Sequence, residues 1–373
     1  MHPGKEEKLE MNLEIFHAAV DFRNYPFKNL NLLINPVDHA ATPACIEKAK
    51  RLFEVTRARN VMLDSGGHSL FGAEASGKEI IIDSSLEIKS DGKLNLSPSQ
   101  LIKLAGSIQP NVVVALDWPL KETKTEEEEE KEFRKKLPIN LELAKESVKL
   151  RNEICPEIDL LIPIQAKTLE QVDEFMQGLS GLKFSGVSLP FRNMSAQMMV
   201  LFLTRLYQHG IEYVHILGTT CFAYTAIAAY FARQGRFELI SMDSTSWKTS
   251  ANRSSGFMSP HNLLSCKISE QTRIPDSLRN DCRCQFCKKM TFKQVAAEMF
   301  TPRSLFLACH NACVTENVAK DLYKNAKSLT QLEHYLIHKK SSGDPKVKQA
   351  ISALYLAEVL KDENINVLKT AIE

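Results

Sequence analysis

No apolar run in this 373-residue chain reaches the roughly 18 to 20 residues a membrane-spanning helix needs. Its first residues, MHPGKEEKLEMNLEIF, hold no apolar stretch of the signal-peptide kind. The two absences lead to the expectation of a cytoplasmic protein with no membrane partner. An excess of charge of one sign is missing as well. The 47 Lys and Arg against 45 Asp and Glu leave a formal charge of +2, so any nucleic-acid surface has to be a local patch. A disulfide framework is missing too: the nine cysteines are odd in number, scattered at 45, 155, 221 and 266 and then clustered from 282 to 313. Neither the phosphate-cradling pattern G-x-x-x-x-G-K-S/T nor the nucleophile elbow G-x-S-x-G occurs, which argues against ATP-driven and serine-hydrolase chemistry.

What is present is the composition of a globular protein, 44% hydrophobic and 25% charged, at a length that holds one large barrel or two ordinary domains. Short apolar runs recur at 31–35, 60–64, 112–117, 159–165, 186–190, 212–218 and 238–243. They are continuous where a half-exposed strand would alternate, so they predict strands buried on both faces, parallel and covered by helices. Helical periodicity fills the gaps, as at 43–58, 168–179 and 194–210, the last ending in a glycine suited to a helix C-terminus. LFLACH at 305–310 reads as a further strand or as the beginning of a helix. The leading architecture is an α/β fold, a (β/α)8 TIM barrel, with a doubly wound open sheet second.

The charged run KETKTEEEEEKEFRKK at 121–136 reads as a solvated helix face or a mobile loop. Beyond Lys327, LTQLEHYLIHKK and VKQAISALYLAEVLK read as packing helices separated by the turn-like SSGDP. The expected organisation is the main part of the barrel over 1–265, a small zinc-binding subdomain over 266–327, and C-terminal helices packing on the barrel over 328–373.

Cys282, Cys284, Cys287 and His310 stand at C-x-C-x2-C-x22-H spacing. Three soft thiolates and an imidazole are the ligand set of a closed tetrahedral zinc site, so one structural Zn2+ is expected, contributing folding energy and activating no water. Cys309 and Cys313 flank the histidine and read as buried spectators.

Five of the proposed strands end in a polar or turn residue: Asp64, Asp117, Gln165, Gly218 and Asp243. Barrel and open α/β enzymes build their sites at that edge. A single aspartate there often does no more than cap the next helix. Three in the same topological position point to a carboxylate cluster, and paired carboxylates serve as nucleophile and general acid/base at an anomeric carbon.

In order along the chain, DSGGHSLFG at 64–72, LD at 116–117, PIQ at 163–165, LGTT at 217–220 and MDSTSWKTSANR at 242–253 resemble the motifs of the tRNA-guanine transglycosylases and their DNA-modifying relatives. The counterparts are that family's DSGGFQ segment, base-recognition aspartate, V-Q-G segment, G-x-G-T-P turn and FDCVxPTRxAR segment. The resemblance spans roughly residues 30 to 320, with the zinc motif following in the right order. It implies a zinc-stabilised (β/α)8 barrel that exchanges a guanine in a polynucleotide for a 7-deazaguanine, with Asp243 as nucleophile and Asp64 as general acid/base. Asp117 and Gln165 would hydrogen-bond the purine edge, and Ser65, Gly66, Gly67, His68 and Gly218 complete the implied substrate-binding set.

The chain also departs from the tRNA pattern. His68 and Ser69 replace Phe-Gln, Phe191 lies where the family has a glycine-rich V-G-G-L segment, and Ser-Trp-Lys-Thr replaces the Pro-Thr-Arg that follows the nucleophile. Together with the absence of the domain that archaeal tRNA enzymes append, these changes resemble the DpdA-type branch, which inserts 7-deazaguanines such as preQ0 into DNA. DNA is therefore favoured over tRNA as the polymer. Lys248, Arg253 and Arg283 are candidate phosphate contacts, although isolated basic residues are more often solvated surface. Trp118 and Trp247 fit either stacking on a flipped base or ordinary packing. Further partners would be a second copy, since the tRNA relatives suggest a dimer, or accessory DNA-modification proteins. The rival readings are a non-catalytic nucleic-acid-binding subunit and a zinc hydrolase with an open metal position.

Overall fold

The computed structural model describes residues 11–19, 29–35, 43–90, 94–190, 194–268, 282, 284–288, 294, 300–339 and 345–360. In chain order these form β1 Leu13–Ala19, β2 Asn31–Ile34, α1 Pro43–Thr56, β3 Val61–Leu63, α2 Gly67–Ala75, β4 Ile81–Ile82, β5 Ile88–Ser90, β6 Leu94–Leu96 and α3 Pro98–Ile108. Next come β7 Val112–Val114, α4 Glu126–Ile154, β8 Asp159–Pro163, α5 Leu169–Gly178, β9 Gly186–Pro190, α6 Ala196–Gln208, β10 Tyr213–Leu217 and α7 Phe222–Arg233. The rest are β11 Leu239–Ser244, α8 Ser246–Ser254, β12 Gly256–Met258, β13 Ser265–Lys267, α9 Phe300–Asn325, α10 Leu329–Lys339 and α11 Pro345–Val359.

Eight strands close into a barrel in the order β1-β11-β10-β9-β8-β7-β3-β2, and each recorded pairing between neighbours is parallel. The (β/α)8 expectation is met. Strands such as β3 and β7 are wholly buried, as continuous Val, Met and Leu runs require when helices cover one face and the barrel interior the other. Phe16, Ala18, Leu33, Met62, Val112, Val114, Leu161 and Tyr213 form the cluster that fills the interior. Polar side chains start helices where the sequence placed them: Ser97, Thr125, Thr168 and Ser195 each accept a backbone N–H of the first turn of α3, α4, α5 and α6.

The structure completes the sequence reading at three segments. The eighth barrel strand is β1, which is not among the seven apolar runs picked out from sequence. LFLACH lies inside α9, so the helical alternative is the one realised. The charged run opens α4, with Glu126, Glu127, Glu128 and Glu129 in its first turn, yet Lys136 at its end is fully buried among Glu74, Glu132 and the carbonyl of Pro119. A small antiparallel sheet, β4-β5-β6, is inserted between α2 and α3. The Ser-Ser-Gly-Asp turn at 341–344 lies outside the described residues. Among the described residues, no helix is long and apolar enough to cross a membrane.

Candidate active site and metal centre

Each aspartate of interest stands at the carboxyl end of a barrel strand. Asp64 follows β3, and its backbone N–H bonds the carbonyl of Ile34 on β2 at 2.7 Å. Asp117 follows β7, Gln165 follows β8, and Asp243 lies on β11 opposite Phe16 of β1. Asp117, Gln165 and Asp243 are buried, and Asp64 is half-buried. The charges of Asp243 and Asp117 act on Asp64, so the three carboxylates share one end of the barrel. Burial first, then those two negative neighbours, push the Asp64 carboxyl up to about 7. Burial likewise raises Asp117, to about 6, against the lowering effect of its bonds from Ser65 and Gln165.

The Ser-Gly-Gly turn explains why those residue types follow Asp64. The N–H of Ser65 donates to Asp64 Oδ1 at 2.8 Å, and its hydroxyl donates to Asp117 Oδ1 at 2.8 Å while accepting the N–H of Gly67 at 3.0 Å. A Cβ on Gly67 would stand 2.6 Å from Asp117 Oδ1, so only glycine lets α2 start this close to the second carboxylate. Gln165 Nε2 donates to Asp117 Oδ2, and Gln165 Oε1 accepts the N–H of Leu120 at 3.1 Å. Asp117 and Gln165 therefore satisfy each other. His68 is exposed in the first turn of α2.

Asp243 is held differently. Gly218 has φ near 80°, a left-handed backbone that β-branched or bulky residues avoid, and its N–H donates to Asp243 Oδ1 at 2.7 Å. The Gly218 amide is thus engaged with the carboxylate. Nε2 of His215, on β10, lies 3.4 Å from the same oxygen. His215, Ser241 and Tyr213 were not singled out from sequence. Their one signal is the period of two, because Tyr213 and His215, like Ser241 and Asp243, alternate along adjacent strands and so face the same side.

Among the candidate phosphate contacts, Lys248 is buried on α8, Arg253 is exposed in the last turn of that helix, and Arg283 lies outside the described residues. Phe191 lies outside them too. Both tryptophans are packed: Trp118 under the ammonium groups of Lys135 and Lys136, and Trp247 edge-on to His17. Asn140 of α4 braces the Asp117 loop by accepting the N–H of Trp118 at 2.7 Å and donating to its carbonyl at 3.1 Å.

The second centre gathers Cys282, Cys284, Cys287 and His310, whose donor atoms all lie within 4.8 Å of one another. The three sulfurs stand 3.6, 3.4 and 3.2 Å from His310 Nδ1. Two such ligands on a tetrahedral zinc, with Zn–S of about 2.3 Å and Zn–N of about 2.05 Å, would be about 3.6 Å apart. His310 Nε2 donates to the carbonyl of Met258 at 2.9 Å, which leaves Nδ1 bare for a metal, and Phe257 stacks on the ring at 3.9 Å. These four residues form a metal-binding site whose soft donors suit zinc. Cys309 and Cys313 are not in the cluster, and burial raises both thiols.

Residues 29–204 match the family model described as queuine tRNA-ribosyltransferase, TGT. That range holds Asp64, Asp117 and Gln165 and ends on α6, before Asp243 and the metal cluster. The search of curated proteins finds no match. The family match supports a place in the tRNA-guanine transglycosylase superfamily, whose members are pentosyltransferases. The match over these residues supports a pentosyltransferase activity, base exchange by a guanine transglycosylase acting on nucleic acid.

Proposed function

We propose that this enzyme replaces guanine in DNA with a 7-deazaguanine such as preQ0, through a covalent intermediate on Asp243. The carboxylate of Asp243 attacks the anomeric carbon, the bond from that carbon to the guanine nitrogen breaks, and Asp64 donates its proton to the departing base. Asp64, now ionised, accepts the proton of the incoming deazaguanine, whose nitrogen displaces Asp243 from the sugar. Asp117 and Gln165 exchange their mutual bonds for bonds to the purine edge, which rejects bases lacking the matching groups. Ser65, Gly66, Gly67 and His68 line the approach, and Arg253 and Arg283 meet the phosphates. No ATP or redox cofactor enters the reaction. Cys282, Cys284, Cys287 and His310 hold a zinc ion that supplies folding energy to the subdomain over 266–327.

The observation that carries this reading is the meeting of Asp64, Asp117 and Asp243 at one end of the barrel, with Ser65 bridging the first two. A carboxyl raised to about 7 beside a second buried carboxylate is half protonated near neutrality and serves as acid in one half-reaction and base in the next. DNA is favoured because His68, Ser69 and the Ser-Trp-Lys-Thr segment after Asp243 depart from the tRNA-type motifs. A second reading, exchange in tRNA, is favoured by the description of the matching family.

Purified protein incubated with labelled preQ0 or guanine and either plasmid DNA or bulk tRNA decides between them. Label in DNA is the expected result. Label in tRNA alone would replace the first reading by the second, and label in neither, from a folded and metallated protein, would overturn both. Asp243→Ala should abolish incorporation with folding and metal content unchanged.

A further inference from the structure

Beneath Asp243 a line of buried polar side chains runs down the barrel interior. His215 is fully buried, and its Nε2 has no hydrogen-bond partner but faces Asp243 Oδ1 at 3.4 Å. On the other side of the ring, Nδ1 lies 2.7 Å from the hydroxyl of Ser241, and that hydroxyl is 2.9 Å from the hydroxyl of Tyr213. Phe16 meets the imidazole edge-on, at 5.9 Å and 88°. A buried ring nitrogen left without a bond is costly, so its placement against a carboxylate calls for an account.

Donor and acceptor rules leave one consistent arrangement for a neutral ring. An ionised carboxylate only accepts, so the proton has to sit on Nε2. Nδ1 is then bare and takes the Ser241 O–H, and Ser241 Oγ in turn accepts the O–H of Tyr213. Burial holds the Tyr213 phenol well above its usual range, so it keeps the proton it donates. The Gly218 N–H and the His215 ring both address Oδ1, and the oxygen addressed by neither is Oδ2.

The geometry points to His215 as a positioning residue for the reaction. With Ser241 and Tyr213 behind it, its Nε2–H fixes Oδ1 of Asp243 together with the Gly218 amide and leaves Oδ2 to attack the anomeric carbon. Closing the 3.4 Å gap to a full hydrogen bond as charge develops would strengthen the contact in the reacting complex, where catalytic bonds tighten. This role rests on Asp243 being the nucleophile proposed above.

Two measurements test it. The first needs no turnover: nitrogen NMR of histidine-labelled protein, assigned with His215→Gln, should show His215 with its proton on Nε2 and should lose that signature's carboxylate dependence in Asp243→Asn. A ring protonated on Nδ1 alone would overturn the arrangement. The second is single-turnover release of labelled guanine. His215→Leu, which keeps the volume, should lower the rate by about tenfold or more, since misplacing a reacting group by an ångström costs up to roughly 100-fold, with KM within about twofold. His215→Gln, which can still present an N–H to Oδ1, should recover most of the loss, and Ser241→Ala should fall between the two. A His215→Leu rate within twofold of the wild type, or a glutamine variant no better than leucine, would refute the role even with base exchange intact. If the wild type exchanged no base at all, the proposed function would fail, while the NMR result would still report the His215–Asp243 contact.

Discussion

Asp64 carries two loads at once: it is enclosed by protein, and it stands in the field of Asp243 and Asp117. Both effects favour the neutral acid. In the unfolded chain an aspartyl group releases its proton near pH 4, whereas in the folded protein it does so at about 7. Between those values the native state holds a proton that the unfolded state has lost, so stability falls as pH rises through the window and stays at its lower level above it. Asp64→Asn has no such proton to lose. It should be as stable as the wild type near pH 4 and more stable at pH 8, by roughly 1–3 kcal/mol once the partial exposure of the residue is allowed for. Urea midpoints at the two pH values check this, and the same variant should have no exchange activity. An equal stability difference at both pH values would show that the site does not hold Asp64 in its acid form at neutrality. Asp64 itself was legible in sequence because it follows a buried run. His215 was not, because in EYVHILG it reads as one polar residue in an apolar strand, and only the phase of the closed barrel turns it inward toward β11.

At the scale of elements, α4 acts as a brace for the segment carrying Asp117. Asn140 satisfies both backbone groups of Trp118, and Lys136 bonds the carbonyl of Pro119. Asn140→Ala leaves a buried N–H and C=O without partners, which should destabilise the protein by roughly 2–4 kcal/mol. Because the freed loop follows directly on Asp117, KM for the base should rise severalfold in a variant that still folds. Denaturant melts and steady-state kinetics measure the two effects, and a stability loss with KM unchanged would mean that the loop needs no brace. The same kind of polar satisfaction decided which elements could be read from the chain. Seven barrel strands announce themselves as predominantly apolar runs. β1 does not, since LEIFHAA interleaves Glu14 and His17, and these are tolerated because Glu14 accepts from Asn60 and His17 packs on Trp247 beside Glu316. LFLACH looks like a strand but belongs to a helix of 26 residues, where Leu307, Ala308, Cys309 and Ala312 face one cluster with Trp247 and Phe257.

Across the whole molecule, the metal-binding cluster and the carboxylate cluster are joined by α9. His310 on that helix supplies the fourth ligand, and the next residue, Asn311, accepts the N–H of Met258 at 2.8 Å and donates to the carbonyls of Trp247 at 2.9 Å and Gly256 at 3.0 Å. Those bonds tie α9 to β12 and to α8, the helix that begins just after Asp243. Arg59, ahead of β3, closes the other side by a forked bond to Glu316 of α9 at 2.9 and 3.0 Å. A metal bound by the four ligands thus stabilises the seating of α9 against the barrel, and its removal withdraws that support together with the binding free energy. Chelation, or His310→Ala, should lower the melting temperature by about 10 °C or more, and zinc should restore it after chelation but not in the variant. Activity during chelation then discriminates between roles. For a structural ion, exchange activity falls in step with the circular-dichroism signal of the folded barrel, since Asp64 and Asp243 need only their strands to be in place. An ion taking part in the chemistry would leave the fold intact while activity vanished, and that outcome would move the metal from scaffold to reaction centre.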